Sequence, residues 1–353
     1  MENLDLIERL CQARGTSGFE DEVVQIAKEY CKDFAKIEED CMRNLYIRPY
    51  GSKGNRPLVM LDAHADEVGF MVQGIKPDGT LRFIPIGGWN EKCLPSSKVQ
   101  VYTKHGYISG VIAAMPPHLM TAEQRNAPIS YSTLTIDVGA TSDTEAREMG
   151  VEVGAPVVPL SPFEYNSEYG ILQGKAFDDR LGVAAMLICL KKLADEELDV
   201  DVIGIVSTQE EVGERGITAV MGRIKPHAAI CFEACPADDT SAPSYMIQDK
   251  LRGGVMLRHM DLTVICTPRF IQFAKETAED TGIKVQMAVR SGGGNNGAYI
   301  ISANGGTPVI VSGIPVRYIH SFNCIAALED VESNINFGLE LCKKLNAKII
   351  KGF

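Results

Sequence analysis

The chain has 353 residues, 45% of them hydrophobic, and a formal charge of −11 at pH 7. That length suits one large or two ordinary domains with a sizeable core. The acidic balance argues against nucleic acid, because phosphate binding needs a basic surface, and it disfavours anionic membranes. The opening MENLDLIERL carries acids and no long apolar stretch, and no segment approaches the ~20 apolar residues that span a bilayer. Ten cysteines occur without a CxxC pair. They read as small buried hydrophobes in a reducing compartment, so a cytoplasmic location is expected.

Leu6, Ile7 and Leu10 predict a first helix over residues 4–14, which Thr16-Ser17-Gly18 stops. Val23, Val24, Ala27 and Tyr30 stripe a second helix over 20–34. A short apolar strand at 58–61 leads into Asp62-Ala63-His64-Ala65-Asp66. From about Val68 to Leu160 the texture changes. Strand-like runs at 69–75, 81–84, 98–103, 107–113, 132–138 and 156–159 alternate with turns such as Pro77-Asp78-Gly79. One or two helical turns fit 144–149. This stretch predicts a small antiparallel barrel. After Gly174 a nearly apolar helix over 181–193 should lie buried against a sheet. Strands are predicted at 200–207, 228–232, 255–260, 285–288 and 307–311, a helix over 271–278, and a long helix over 323–345 capped by Ser321. The expected fold is α/β, a mostly parallel or mixed sheet covered by helices, formed by residues 1–67 and 161–353. Residues 68–160 form the inserted β-rich domain.

Chelating side chains gather where strands should end. Glu210 and Glu211 follow an apolar run, and adjacent acids there are costly unless a metal or hydrogen bonds hold them. One can bind metal while the other takes a proton. Gly213 and Gly216 allow a tight turn after them. His64 and Asp66 share a face of extended chain, so Asp66 can hold the second imidazole nitrogen or its surroundings. Asp178 and Asp179 precede the apolar helix, where one can cap it and the other reach a metal, with Arg180 as local charge compensation. Glu233 and His320 stand at two further segment ends. The metal set is therefore His64, Asp178, Glu211, Glu233 and His320. Five imidazole and carboxylate donors exceed one tetrahedral zinc and suit two divalent ions, zinc first, cobalt or manganese otherwise. No HExxH, GxSxG, P-loop or GxGxxG is present.

The pieces DAHADEVGF (62–70), FDDRLG (177–182), TQEEVGERG (208–216), FEACPADDT (232–240), RYIHS (317–321) and TSGFE (16–20) resemble the M42 family of dinuclear metallo-aminopeptidases. The resemblance covers nearly the whole chain in order. It implies that His64 and Glu233 are terminal ligands of different metals. Asp178 bridges the two, with a cis Asp178–Asp179 peptide. Glu211 and His320 complete the set, Glu210 is the general base, and Asp66 supports His64 as a second catalytic residue. It also implies a PDZ-like or barrel-like dimerisation insert, dimers assembling to dodecamers, and short peptides with a free N-terminus as substrates. One departure stands out: the family often reads GGGTDA where this chain has Gly292-Gly293-Gly294-Asn295-Asn296-Gly297. Competing expectations are a deacylase, a carboxypeptidase, a glucanase, or a shell-forming peptide-binding protein with a dead site.

Overall fold

A computed structural model describes residues 2–353. Its spine is an 11-stranded mixed sheet. Four strands at its centre run parallel: Asp201–Ser207, Leu58–His64, Ala228–Pro236 and Val309–Arg317. Antiparallel strands extend both sides. Leu45–Pro49 and Ala35–Glu39 flank one, and Cys324–Ala327, Ile171–Gly174 and Glu164–Asn166 flank the other. Val255–Met260 pairs antiparallel with Val309–Arg317 and carries Val285–Val289 on its outer side. Every residue of Asp201–Ser207 is buried, so both faces are covered. The helix Phe177–Leu193 lies against the sheet with Glu2–Gln12 and Leu328–Lys344. Arg215–Arg223 and Gly297–Ser302 pack together on Asp201–Ser207 and Val309–Arg317 in a separate layer.

The parallel register decides where chemistry can occur. His64 is the partner of Ser207, so the ends of their strands lie level and deliver residues 65–66 and 208–211 to one edge. Open α/β sheets bind ligands at the carboxyl ends of their strands.

Residues 69–159 contain the expected barrel. The strands Gly69–Ile75, Leu81–Ile86, Ile136–Asp137, Gly106–Ile112, Lys98–Thr103 and Pro156–Pro159 close on themselves in that spatial order. Phe70, Phe83, Val99, Val101, Ile136 and Val157 fill it. Trp89 stacks on Phe70 at 4.9 Å and meets Phe322 at 5.1 Å. Phe322 lies two residues beyond His320, so the barrel core and the sheet edge share a contact.

Two expectations about the elements need correction, and four strands were not expected at all. The 323–345 helix starts only at Leu328, because Cys324–Ala327 pairs with two neighbouring strands, and Ser321 sits in a loop, donating to Tyr318 O. Tertiary pairing overrides the local cap signal there. The 132–138 run shrinks to Ile136–Asp137. Glu164–Asn166, Ile171–Gly174 and the hairpin Ala35–Glu39 with Leu45–Pro49 are strands for which no pattern was assigned. All ten cysteines are free thiols, and eight of them are buried. Among the described residues, no helix is long and apolar enough to cross a membrane.

Candidate metal centre

His64, Asp66, Asp178, Glu210, Glu211, Glu233 and His320 converge from five segments on the sheet edge. Two groups of three can each offer donor atoms within 4.8 Å of one another: His64, Asp178 and Glu233, and Asp178, Glu211 and His320. His64 and Glu233 therefore fall in one group, which corrects the expectation that they hold different metals. Asp178 belongs to both. Its Oδ1 lies 3.1 Å from His64 Nε2 and its Oδ2 lies 3.2 Å from His320 Nε2. Glu233 Oε1 is 3.6 Å from His64 Nε2, and Glu210 Oε2 is 3.9 Å from the same atom.

The chain is bent and tethered to reach this arrangement. The Asp178–Asp179 peptide is cis. Neither residue is helical in φ and ψ, so the regular helix begins at Arg180. Asp179 is its cap, accepting Gly182 N at 3.1 Å. The same carboxylate accepts His64 N at 3.2 Å and Ala234 N at 3.0 Å, which fixes the main chain at both donors His64 and Glu233. The sequence allowed a cap at this pair but not that reach. The left-handed backbone of Gln209 and His320, φ 53° and 55°, costs ~1–3 kcal/mol each and survives only where surroundings hold it. After the glutamates, Gly213 sits at φ 108°, and a Cβ at Gly216 would fall 2.2 Å from Thr208 O. Both glycines are required by the turn.

Asp66 holds both His64 and the main chain of the two glutamates. Its main-chain oxygen meets His64 Nδ1 at 3.2 Å, which leaves Nε2 to face the centre. Its carboxylate lies 3.5 Å from the same nitrogen, yet is spent on the amides of Glu210 and Glu211, at 2.9 and 3.1 Å. Arg180 differs from expectation. It is fully buried and donates to the carbonyls of Leu10, Ala13, Gly15 and Ala65, with Glu67 3.4 Å away. It ties the end of the Glu2–Gln12 helix and the loop after it to the end of the Leu58–His64 strand, and does not serve as the partner of Asp178. In the glycine-rich loop, Asn296 Nδ2 donates to Asp62 Oδ2 at 2.7 Å and to Ser207 Oγ at 2.9 Å, so an amide there serves one oxygen of a buried acid that a second carboxylate would repel.

The electrostatics describe a site crowded with acid. Burial, with Glu233 and Glu211 nearby, holds Glu210 well above the ordinary carboxylate range against the pull of His64. Burial likewise lifts Glu233 to about 7. Asp178 goes the other way: burial opposes its charge, but the imidazoles of His320 and His64 outweigh burial and lower it. His320 rises to about 11, since Asp178 and Glu211 overcome its desolvation. Glu211 Oε1 lies 3.3 Å from His320 Nε2 but receives no hydrogen bond, leaving a buried oxygen without a donor. Packed carboxylates with an orphaned oxygen, and imidazoles aimed between them, are what a divalent cation would satisfy. The residues therefore fit metal binding. A cavity of about 520 Å³ opens over them, walled further along by Arg258, Arg290 and Gly292-Gly293-Gly294.

A mixed sheet flanked by helices, a closed barrel, and acid–imidazole clusters at the strand ends define the class: a layered α/β protein with a candidate two-cation centre. Comparison with known proteins narrows it. The family model described as M42 glutamyl aminopeptidase matches residues 44–337, and the chain belongs to that family. The glutamyl aminopeptidase of Lactococcus lactis subsp. cremoris (strain MG1363) is 32% identical over 351 residues, covering 99% of this chain and 98% of its own. The crystal structure of a TET aminopeptidase from the marine sediment archaeon Thaumarchaeota archaeon SCGC AB-539-E09 is 34% identical with a TM-score of 0.96, covering 99% of this chain and 98% of that one. The Pyrococcus horikoshii TET1 peptidase, described as able to assemble into a tetrahedron or a large octahedral shell, is 29% identical with a TM-score of 0.88, covering 97% and 100%.

Proposed function

We propose that the protein is a dinuclear metal-dependent aminopeptidase that removes residues one at a time from the free N-terminus of short peptides. The pair of three-donor groups sharing Asp178, with Glu210 beside them, carries this reading. His64, Asp178 and Glu233 would hold one divalent ion, and Asp178, Glu211 and His320 the other. Zinc is the first choice, with cobalt or manganese as alternatives. Three protein donors with an open position are the pattern of catalytic zinc. When bound, such ions supply Lewis-acid polarisation of a carbonyl and a water made acidic enough to react near neutral pH. Glu210 lines the cavity, takes the proton of the attacking water and returns it to the leaving amine. Asp66 orients His64 and fixes the amide of Glu210. The α-ammonium of the substrate is drawn to the acidic wall, which is why the free terminus matters.

The side-chain pocket of this reading is the far wall of the cavity. Arg258 and Arg290 line it. They are paired with Asp261 at 2.8 Å and Asp238 at 2.7 Å, so they are held in place. That favours a glutamyl or aspartyl first residue, in line with the Lactococcus relative. Residues 68–160 would be an inserted dimerisation unit, and dimers would build a dodecamer, consistent with the shells of the Pyrococcus relative. The ten free thiols suit a cytoplasmic setting.

The test is a product ladder read by mass spectrometry. Short peptides with a free terminus should shorten stepwise from that end, and the same peptides N-acetylated should react far more slowly. Loss from the carboxyl end, or release of acetyl alone, would replace this reading with a carboxypeptidase or a deacylase.

A further inference from the structure

Four consecutive amides run from the end of the Asp201–Ser207 strand to the proposed base, and each donates to a side-chain oxygen from elsewhere in the chain. Thr208 N goes to Asn44 Oδ1 at 2.9 Å, and Gln209 N to Glu20 Oε1 at 3.1 Å. Glu210 N and Glu211 N go to the two oxygens of Asp66. The carbonyls of residues 208–210 accept amides of the following turn, Gly213 to Gly216, so it is the amide side of the step that rests on three side chains.

Glu20 is the least expected of them. It sits at the N-cap of the helix Asp21–Cys31, where a carboxylate would ordinarily serve the helix's own first amides, yet it makes no such bond. Instead Oε1 accepts both Gly18 N, at 2.8 Å, and Gln209 N. Glu20 is 1% exposed, and its Oε2 is buried without a donor, so the arrangement costs stability that local structure does not return. What the bond secures is the left-handed turn of Gln209, one residue before Glu210. Ser17 strengthens the same clasp, donating to Asp66 Oδ2 at 2.6 Å. The loop 16–20 thus grips both ends of the step into the site.

We infer that Glu20 is a positioning residue: its hydrogen bond to Gln209 N fixes the turn that aims Glu210 at the reacting water. This rests on the reading of Glu210 as the base, and it goes beyond that reading by assigning a function to a residue outside the metal and proton-transfer set. A base displaced by about 1 Å loses on the order of 10²-fold in rate, so the effect should fall on kcat.

Three variants of the full-length protein test it at saturating metal: Glu20→Ala, Glu20→Asp and Glu20→Gln. Alanine lacks the acceptor, and aspartate keeps the charge but falls a methylene short. Both should lower kcat by roughly 10- to 100-fold with KM within about twofold. Glutamine keeps an Oε1 acceptor and should restore kcat to within about threefold of the parent. Hydrogen exchange over residues 207–214, measured on metal-free protein, should quicken for alanine and aspartate and stay slow for glutamine. Parent kcat and parent exchange in Glu20→Asp would overturn the inference, as would a Glu20→Gln variant as impaired as Glu20→Ala. The exchange arm needs no catalysis, so it reports on Glu20 even if the parent shows no aminopeptidase activity and the reading of the site fails.

Discussion

His64 Nε2 and Asp178 Oδ1 stand 3.1 Å apart, and the other oxygen of Asp178 faces the second imidazole. A carboxylate placed between two histidines is suited to bridging two cations. Saturating zinc, cobalt or manganese should therefore load two ions per chain, as measured by elemental analysis after desalting. Asp178→Ala should lower the occupancy of both positions, whereas Glu233→Ala or His320→Ala should affect one more than the other. Chelation should abolish hydrolysis and metal should restore it. A parent that takes up no specific ion sinks the dinuclear reading.

Glu210 and Glu211 are adjacent but differently placed, one beside His64 and one beside His320. Glu210→Gln should keep both ions and lose at least ~10²-fold in kcat, the lower range for positioned proton transfer. Glu211→Gln should first weaken ion binding, seen as a higher metal concentration for half-maximal activity. Full rates with full metal in both variants would leave these roles without support.

Much of the centre was legible because its donors stand at the ends of segments, most after apolar strands and Asp178 before an apolar helix, and register then does the assembling. Once His64 pairs with Ser207, the two acid-bearing loops must meet. The barrel was legible from its turns, and its strands at 69–75, 98–103 and 156–159 match the pattern. The supporting carboxylates were not legible. Asp179 reaches His64 N across 115 positions, and Glu20 reaches Gln209 N across 189, distances that no local periodicity encodes. Arg180 looked like a charge partner in the sequence because Asp178 and Asp179 precede it. Only packing shows that its guanidinium is consumed by four carbonyls. The late start of the helix Leu328–Lys344 has the same origin, since Cys324–Ala327 is a strand by virtue of its partners.

Asp201 supplies a pH test away from the centre. It accepts Lys53 N, Arg56 N and the Arg56 guanidinium, and it is buried. Burial works against its charge, but the Arg56 and amide hydrogen bonds prevail and lower its pKa below the ordinary aspartate value. A depressed folded pKa gives stability that is present above the unfolded value, near 4, and is lost as pH falls through the folded one. Asp201→Asn should cost about 1.5–3 kcal/mol at pH 7, the worth of hydrogen bonds to a charged group, and the gap to the parent should narrow at acidic pH as Asp201 protonates. Chemical unfolding at neutral and at acidic pH measures it. A gap independent of pH would show that packing, not ionisation, is responsible.

The barrel should matter for assembly. Replacing 68–160 by a short linker should leave a particle much smaller than the parent in light scattering, while the parent should scatter as about twelve chains. The deletion also removes Trp89 from Phe322 and Gly88 from beside His320, so reduced activity is expected together with the loss of size. A parent that is monomeric at every protein and metal concentration removes the shell reading.

Selectivity for the first residue tests the cavity wall. Arg258 is almost wholly buried, donating to Asp261 and to Cys235 Sγ, whereas Arg290 is partly open and bonded to Asp238. A carboxylate entering the cavity would meet one or both guanidiniums, and a charged hydrogen bond of about 1.5–3 kcal/mol corresponds to roughly 10- to 100-fold. Arg290→Gln should cut kcat/KM for a glutamyl substrate by about tenfold or more and change that for an alanyl or leucyl substrate by less than about threefold. Arg258→Met should do the same more strongly, provided thermal unfolding shows that the fold holds, because Asp261 retains Asn295 and the amides of Thr263 and Val264 as donors. Arg290→Lys keeps a charge without the planar fork and should fall between. A parent that prefers lysyl or leucyl substrates, or variants in which the glutamyl-to-leucyl ratio does not move, would assign specificity to other walls of the cavity.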